Sequence, residues 1–73
     1  MMRLSVRVHR HLRATSAVGQ EEKTITGAHE WRVRDLLRVI NVWEDEVRRV
    51  IINGHHARLD TKLRSQDRVE LFP

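Results

Sequence analysis

The periodicity of the apolar residues changes twice along this sequence, and it restricts the folds that the chain can adopt. Residues 2–9 alternate between apolar and polar side chains, which predicts a half-buried β-strand. Residues 33–40 carry apolar side chains at i, i+3, i+4 and i+7, the spacing of an amphipathic helix. Alternation returns at residues 67–72, so strands on both sides of one helix predict the α+β class. The side chains predicted to face the core are Leu4, Val6, Val8, Val33, Leu36, Leu37, Ile40, Leu63, Val69 and Leu71.

Turn and loop residues divide the rest of the chain into short elements. Residues 23–26 predict a second strand that forms a hairpin with the first, after an exposed loop at residues 14–22. The β-branched segment 49–52 ends at the Asn-Gly pair 53–54, the strongest short hairpin signal, and residues 55–58 return as a brief strand. The order of two strands, a helix, two strands and a final strand predicts one main helix over a mixed sheet of four to five strands.

The length and composition favour a single small domain. The chain has 73 residues and no cysteine, so its core must be stable without disulfide bonds or thiolate metal ligands. A hydrophobic fraction of 40% suffices for one domain over residues 1–73. No apolar run approaches the ~20 residues that cross a bilayer, and the N-terminus lacks the apolar stretch of a signal peptide. We therefore expect a soluble, cytoplasmic domain with no membrane partner.

The charge is basic but dispersed. A net charge of +4 arises from 14 basic and 10 acidic residues, and no basic run is longer than two residues. Scattered charge of this kind is typical of a solvated surface. It permits binding to RNA or to an acidic protein surface and requires neither.

The sequence contains no arrangement typical of a catalytic or metal site. Its serines lie in unrelated contexts, and the acidic run 44–46 is typical of a solvated turn. His9 and His11 share one side of the first strand, whereas the adjacent His55 and His56 diverge, and no spacing motif brings three or four ligands together. We therefore expect exposed histidines, no metal, no cofactor and no enzyme activity in this chain alone.

The outward side chains of the last strand suggest a docking surface. Alternation places Phe72 on the face away from the core, one residue before Pro73. An exposed aromatic side chain at this place favours contact with a partner, and the alternative is that Phe72 covers a sheet edge or Pro73. The residues expected on the same face are Arg7, His9, His56 and Glu70.

Two tryptophans flank the predicted helix. Trp31 and Trp43 are expected to cover the two ends of the core, where large amphipathic rings often pack. The alternative for either residue is a binding hot spot, since tryptophan is enriched in such sites.

Four segments follow one another in an order and spacing that match a known pattern. They are VRDLL at residues 33–37, VIING at 50–54, LDTKL at 59–63 and DRVELFP at 67–73. Together they resemble the ThiS/MoaD sulfur-carrier family of ubiquitin-like proteins, and the resemblance implies the β-grasp fold. Similar sequences have glycine before the residue that matches Asp67, whereas this chain has Gln66, which must then accept a left-handed turn.

The resemblance implies a carrier rather than an enzyme. Sulfur carriers of this family end in a flexible Gly-Gly, whose carboxylate an E1-like adenylating enzyme converts to an acyl-adenylate and then to a thiocarboxylate. A sulfur-accepting synthase subunit uses the sulfur in molybdopterin or thiamine biosynthesis. The sequence ends at Pro73, a few residues before the place of Gly-Gly. We expect either a longer native carrier or a tail-less β-grasp interaction module, similar to TGS or RNase-associated domains, that binds RNA or a partner enzyme.

The same resemblance implies where partners bind. In sulfur carriers both enzymes contact the outer sheet face and the tail. The matching positions here are Phe72, His56 and His9. Phe72 keeps the hydrophobic character of such a surface, whereas the two histidines depart from it.

Overall fold

The computed structural model describes residues 1–9 and 22–73, and it confirms the order of elements that the sequence predicts. Most of the loop expected at residues 14–22 lies outside the described residues. The elements are β1 (Met2–Val8), β2 (Lys23–Gly27), α1 (Val33–Val39), a short 3-10 helix (Glu44–Glu46), β3 (Arg49–Ile52), β4 (His55–Ala57) and β5 (Arg68–Phe72).

The five strands form one mixed sheet in the order β2-β1-β5-β3-β4. β1 and β5 are parallel, and the remaining neighbours are antiparallel, including the two predicted hairpins β1–β2 and β3–β4. The last strand of the chain therefore lies at the centre of the sheet. This is the β-grasp arrangement, with five strands and one main helix.

The core lies between α1 and one face of the sheet. Every side chain that the periodicity assigned to the core is buried, because the inward residues of the strands meet the apolar side of the helix. The buried apolar residues are Met2, Leu4, Val6, Val8, Val33, Leu36, Leu37, Ile40, Val42, Val50, Leu63, Val69 and Leu71.

Local hydrogen bonds define both ends of α1. Arg32 offers no short polar side chain at the N-cap, and the carboxylate of Asp35 instead accepts a hydrogen bond from the Arg32 N–H at 2.8 Å. At the other end Asn41 adopts a φ of 63°, the left-handed conformation that stops a helix. The N–H of Val42 then donates to the Leu37 carbonyl at 2.9 Å.

A buried polar contact joins the β3–β4 turn to the start of β5. Asn53 and Gly54 have φ angles of 53° and 84°, as a tight hairpin turn requires. The carboxylate of Asp67, only 8% exposed, accepts hydrogen bonds from Asn53 Nδ2 and from the Arg64 N–H, both at 2.8 Å. Asn53 Oδ1 accepts from the Arg68 N–H at 2.9 Å. The turn and the last strand are thereby fixed in one register.

Gln66 adopts the left-handed conformation expected of it. Its φ is 75°, and its N–H donates to the carbonyl of Arg3 at 2.7 Å. A left-handed turn is thus formed at the place where similar sequences have glycine, at the conformational cost of a non-glycine residue with positive φ.

The two tryptophans differ in their surroundings. Trp31 is half-buried against the core, and its ring lies so close to Gly27 that a methyl group there would overlap it. Trp43 is 64% exposed, so the prediction that it covers an end of the core is wrong. After the left-handed turn at Asn41 the inward position falls to Val42, and Trp43 points to solvent.

Neither helix in the part of the chain that the structure describes has the length and apolar character needed to span a membrane.

Candidate docking face

We call the face of the sheet opposite α1 the outer face. It consists of the side chains that alternate with the buried residues of the strands. Residues with their Cα atoms paired across neighbouring strands form two rows near the carboxyl end of β5. One row contains Arg49 and Phe72, with His9 beside Phe72 just after the end of β1. The other row contains Arg7, Glu70, Ile51 and His56.

Phe72 is the centre of the first row. The imidazole of His9 stacks on its ring with centroids 4.0 Å apart and planes 9° from parallel. The guanidinium carbon of Arg49 lies over the same ring, 4.6 Å from its centroid. Because β1 and β3 flank β5 on opposite sides, the two groups approach the ring from opposite sides. The ring is therefore held between two polar side chains, and it is half-buried.

Glu70 connects the two rows. His9 Nε2 and Glu70 Oε2 are 3.1 Å apart, and each side chain retains about 30% of its exposure. Arg7 is paired with Glu70 across β1 and β5, and Ile51 is paired with it across β3 and β5. His56 is exposed at the end of this row and is separated from Glu70 by Ile51.

A second acidic side chain, that of Glu22 just before β2, contacts the same face. The hydroxyl of Ser5 donates to the carboxylate of Glu22, and this hydrogen bond is the main reason that the pKa of Glu22 lies below its ordinary value of 4.5; desolvation opposes it. Arg68, whose Nε lies 3.6 Å from the carboxylate, and Arg7 lower the pKa further. These arginines and both glutamates line a depression of about 150 Å³.

The structure brings most of the sequence-predicted docking residues together. His9 contacts both Phe72 and Glu70, and Arg7 lies beside Glu70. The remaining two are farther out: His56 belongs to the outermost strand β4, and Pro73 follows β5 as an exposed residue. The structure places these side chains on one face of the sheet, as predicted. Their role in docking stays a prediction.

Sequence reasoning missed Arg49, the second neighbour of the Phe72 ring. Its position follows from the pairing of β3 with β5, in which Arg49 lies opposite Phe72. The signal was available in part, because the 53–54 turn defines where β3 ends. It was incomplete because β3 and β5 are separated by the crossover after β4, whose length does not determine a register.

A second surface lies at the end of α1. A groove of about 330 Å³ runs beside the exposed Trp43, and Val39 is 53% exposed on the helix next to it. Trp43 is thus available for contact, as the hot-spot alternative requires. The groove is lined by Leu37, Arg38, Asn41, Val42, Trp43 and Glu44.

The histidines do not assemble a metal site in the described part of the chain. Within residues 1–9 and 22–73 no group of three or more histidine or carboxylate side chains could hold a metal ion. His11, the expected neighbour of His9, lies outside these residues.

Comparisons with known proteins identify the class to which this chain and its fold belong. The ThiS family matches residues 8–73, nearly the whole chain. The chain therefore belongs to the ThiS family, whose members are small sulfur carriers rather than enzymes and act together with an adenylating enzyme and a synthase subunit.

A solved structure agrees with this assignment at the level of the fold. It is described as "Putative molybdopterin converting factor, subunit 1 from Pyrococcus furiosus", and it superposes with a TM-score of 0.76 at 23% identity. The match covers 100% of this chain and 98% of the other. A search of curated proteins found no match.

Proposed function

We propose that this protein is a ubiquitin-like sulfur carrier that delivers sulfur from a C-terminal thiocarboxylate to the biosynthesis of a molybdopterin- or thiamine-type cofactor. The observation that carries the proposal is the family match over residues 8–73. The central position of β5 supports it, because the chain leaves the middle of the sheet beside the outer face.

The chemistry requires a partner enzyme and ATP. A carboxylate oxygen at the C-terminus attacks the α-phosphorus of ATP, which forms an acyl-adenylate and releases pyrophosphate. Hydrosulfide, or an equivalent sulfur nucleophile supplied by the partner, then attacks the acyl carbon. The bond from that carbon to the adenylate oxygen breaks, AMP leaves, and the thiocarboxylate remains. The carrier contributes the carboxylate and a surface that orients it, and the adenylating enzyme contributes the catalytic groups.

The outer face supports docking of a protein partner. Phe72, His9 and Glu70 lie next to the exposed Pro73, so a partner bound there would also meet whatever follows the last strand. Arg7, His56 and Pro73 extend the same surface. We propose that the adenylating enzyme and the sulfur-accepting synthase subunit both bind at this face.

The alternative function is a tail-less interaction module that binds RNA. Nucleic-acid binding depends on unpaired basic side chains that contact phosphates. Arg68 of the outer face is instead paired with Glu22, and Arg7 lies close enough to lower the pKa of the same carboxylate. This internal compensation makes Arg68 and Arg7 less available for contacts with RNA phosphates.

The intact mass of the native protein, purified from its own cells, separates the two functions. The carrier predicts a product longer than residues 1–73 that ends in Gly-Gly. A mature product that ends at Pro73 would contradict the carrier, since a proline ring with a fixed φ is a poor terminal residue for activation. Binding of RNA with a steep dependence on salt would then support the interaction module.

A further inference from the structure

We infer that the outer face recognises a carboxylate of the partner protein through Arg49, whose guanidinium is held in place on the ring of Phe72. The inference rests on the proposed function, since the partner is the enzyme that the carrier meets, and it names the chemistry by which this enzyme is recognised. The partner is an acidic protein surface.

Both sides of the Phe72 ring are covered by side chains of the outer face. His9 covers one side of the ring and Arg49 the other, so little of the aromatic surface is left for an apolar partner. A guanidinium whose carbon lies over an aromatic ring can keep N–H groups free to donate, and the contact with the ring limits the conformations that the side chain can adopt. Such a group is preorganised to bind a carboxylate in a bidentate manner.

The charges on the outer face leave Arg49 without an ion-pair partner among the described residues. Among residues 1–9 and 22–73, the acidic side chains Glu70 and Glu22 of this face both have partners within the chain: Glu70 with His9, and Glu22 with Ser5 and Arg68. Among the described residues no ion pair includes Arg49, which is exposed. Arg49 is therefore an exposed positive charge with no ion-pair partner in this part of the chain, and its guanidinium is available to a carboxylate of another protein.

Arg49 lies beside the end of the last strand. It is paired with Phe72, the last residue of β5, and the neighbouring Arg48 donates its N–H to the Phe72 carbonyl at 2.9 Å. A carboxylate bound to Arg49 would thus anchor the partner one residue from Pro73. This placement suits an enzyme that must also reach the chain beyond the last strand.

The experiment measures binding of a hexaglutamate peptide to the ¹⁵N-labelled protein by NMR at low ionic strength. We expect the Nε–H signal of Arg49 and the backbone signal of Phe72 to shift on titration. Arg49→Gln should weaken binding by about fivefold or more, the loss expected for a charge-assisted hydrogen-bonded contact. Arg49→Lys keeps the charge but loses the planar stack, so it should fall between Arg49→Gln and the wild type.

Arg38→Gln is the matched control. It removes the same charge from an exposed side chain on α1, away from the outer face, and should change the affinity by less than about twofold. Thermal melting of each variant confirms that its fold is retained. Equal losses for Arg49→Gln and Arg38→Gln would overturn the inference, because binding would then reflect net charge alone.

A parallel titration with a short uridine RNA of equal charge separates the two kinds of partner. Weaker binding of the RNA than of the peptide supports an acidic protein surface, and preferred binding of the RNA at Arg49 overturns it. Neither titration uses ATP, sulfur or an adenylating enzyme. A negative result in these titrations would therefore contradict the carboxylate site and not the carrier chemistry. A native product that ends at Pro73 would contradict the carrier chemistry and not the carboxylate site.

Discussion

The buried carboxylate of Asp67 holds the start of the last strand in place, so its removal should lower the free energy of unfolding measurably. Asp67→Ala removes the acceptor of two hydrogen bonds at 2.8 Å, which leaves the Arg64 N–H and the Asn53 amide without this partner. Hydrogen bonds to charged groups contribute about 1.5–3 kcal/mol each, and the partly buried position lowers the sum. We expect the free energy of unfolding to fall by about 2–4 kcal/mol, a large part of the stability of a small domain.

Urea unfolding followed by circular dichroism measures this loss. In a domain of this size 1 kcal/mol corresponds to roughly 4–8 °C in Tm, so thermal melting should show a drop of roughly 10–25 °C. Asp60→Ala is the matched control: the residue is exposed, and the change should stay within about 0.5 kcal/mol. Asp67→Asn keeps a carbonyl acceptor, so its loss of stability should lie between the losses for Asp60→Ala and Asp67→Ala.

A double-mutant cycle tests the contact with the hairpin directly. Asn53→Gly preserves the positive φ of the turn and removes the amide that donates to Asp67. The two substitutions should be coupled by more than about 0.5 kcal/mol, because they share one hydrogen bond. Additive losses, or a loss for Asp67→Ala no greater than that of the control, would refute this account of how β5 is positioned.

Three further changes test separate features of the structure. Gly27→Ala forces a methyl group against the Trp31 ring and should destabilise the protein by about 1–3 kcal/mol in urea unfolding, unless the ring has room to shift. Gln66→Gly relieves a positive φ and should raise stability by about 0.5–1 kcal/mol, and a decrease would show that the side chain contributes more than the strain costs. The lowered pKa of Glu22, caused first by the Ser5 hydroxyl, stabilises the fold above pH 4.5 and ceases to do so as pH falls through the lowered value. The difference in Tm between the wild type and Glu22→Gln should therefore be present near neutral pH and vanish in acid, and a constant difference would contradict this explanation.

The periodicity predicts the fold of this chain because each element has a distinct pattern. The spacing of Val33, Leu36 and Leu37 places one face of α1 on the core, and the alternation in β1 and β5 determines which face of the sheet is outward. The turn at 53–54 was also predictable, since few residue pairs satisfy a tight hairpin turn as Asn-Gly does. The left-handed Gln66 followed only from the resemblance, because similar sequences have glycine at that place.

The contacts of the outer face were less predictable for a physical reason. The stack of Arg49 on Phe72 depends on a register between strands that a crossover separates. The hydrogen bond from Ser5 to Glu22 depends in the same way on how β2 pairs with β1. The exposure of Trp43 was missed because the periodicity of the helix ends before it, and the chain turns at Asn41.

The central claim is that the native protein carries sulfur on its C-terminal carboxylate. The most direct measurement is the intact mass of the native protein after incubation with ATP, sulfide and the adenylating enzyme of its own cell. The account predicts a gain in mass equal to the replacement of one oxygen by sulfur. The gain should depend on ATP, and an alkylating reagent should raise the mass further by one alkyl group, since it converts the terminal thiocarboxylate to a thioester. An unchanged mass, with an enzyme that activates another carrier under the same conditions, would contradict the account.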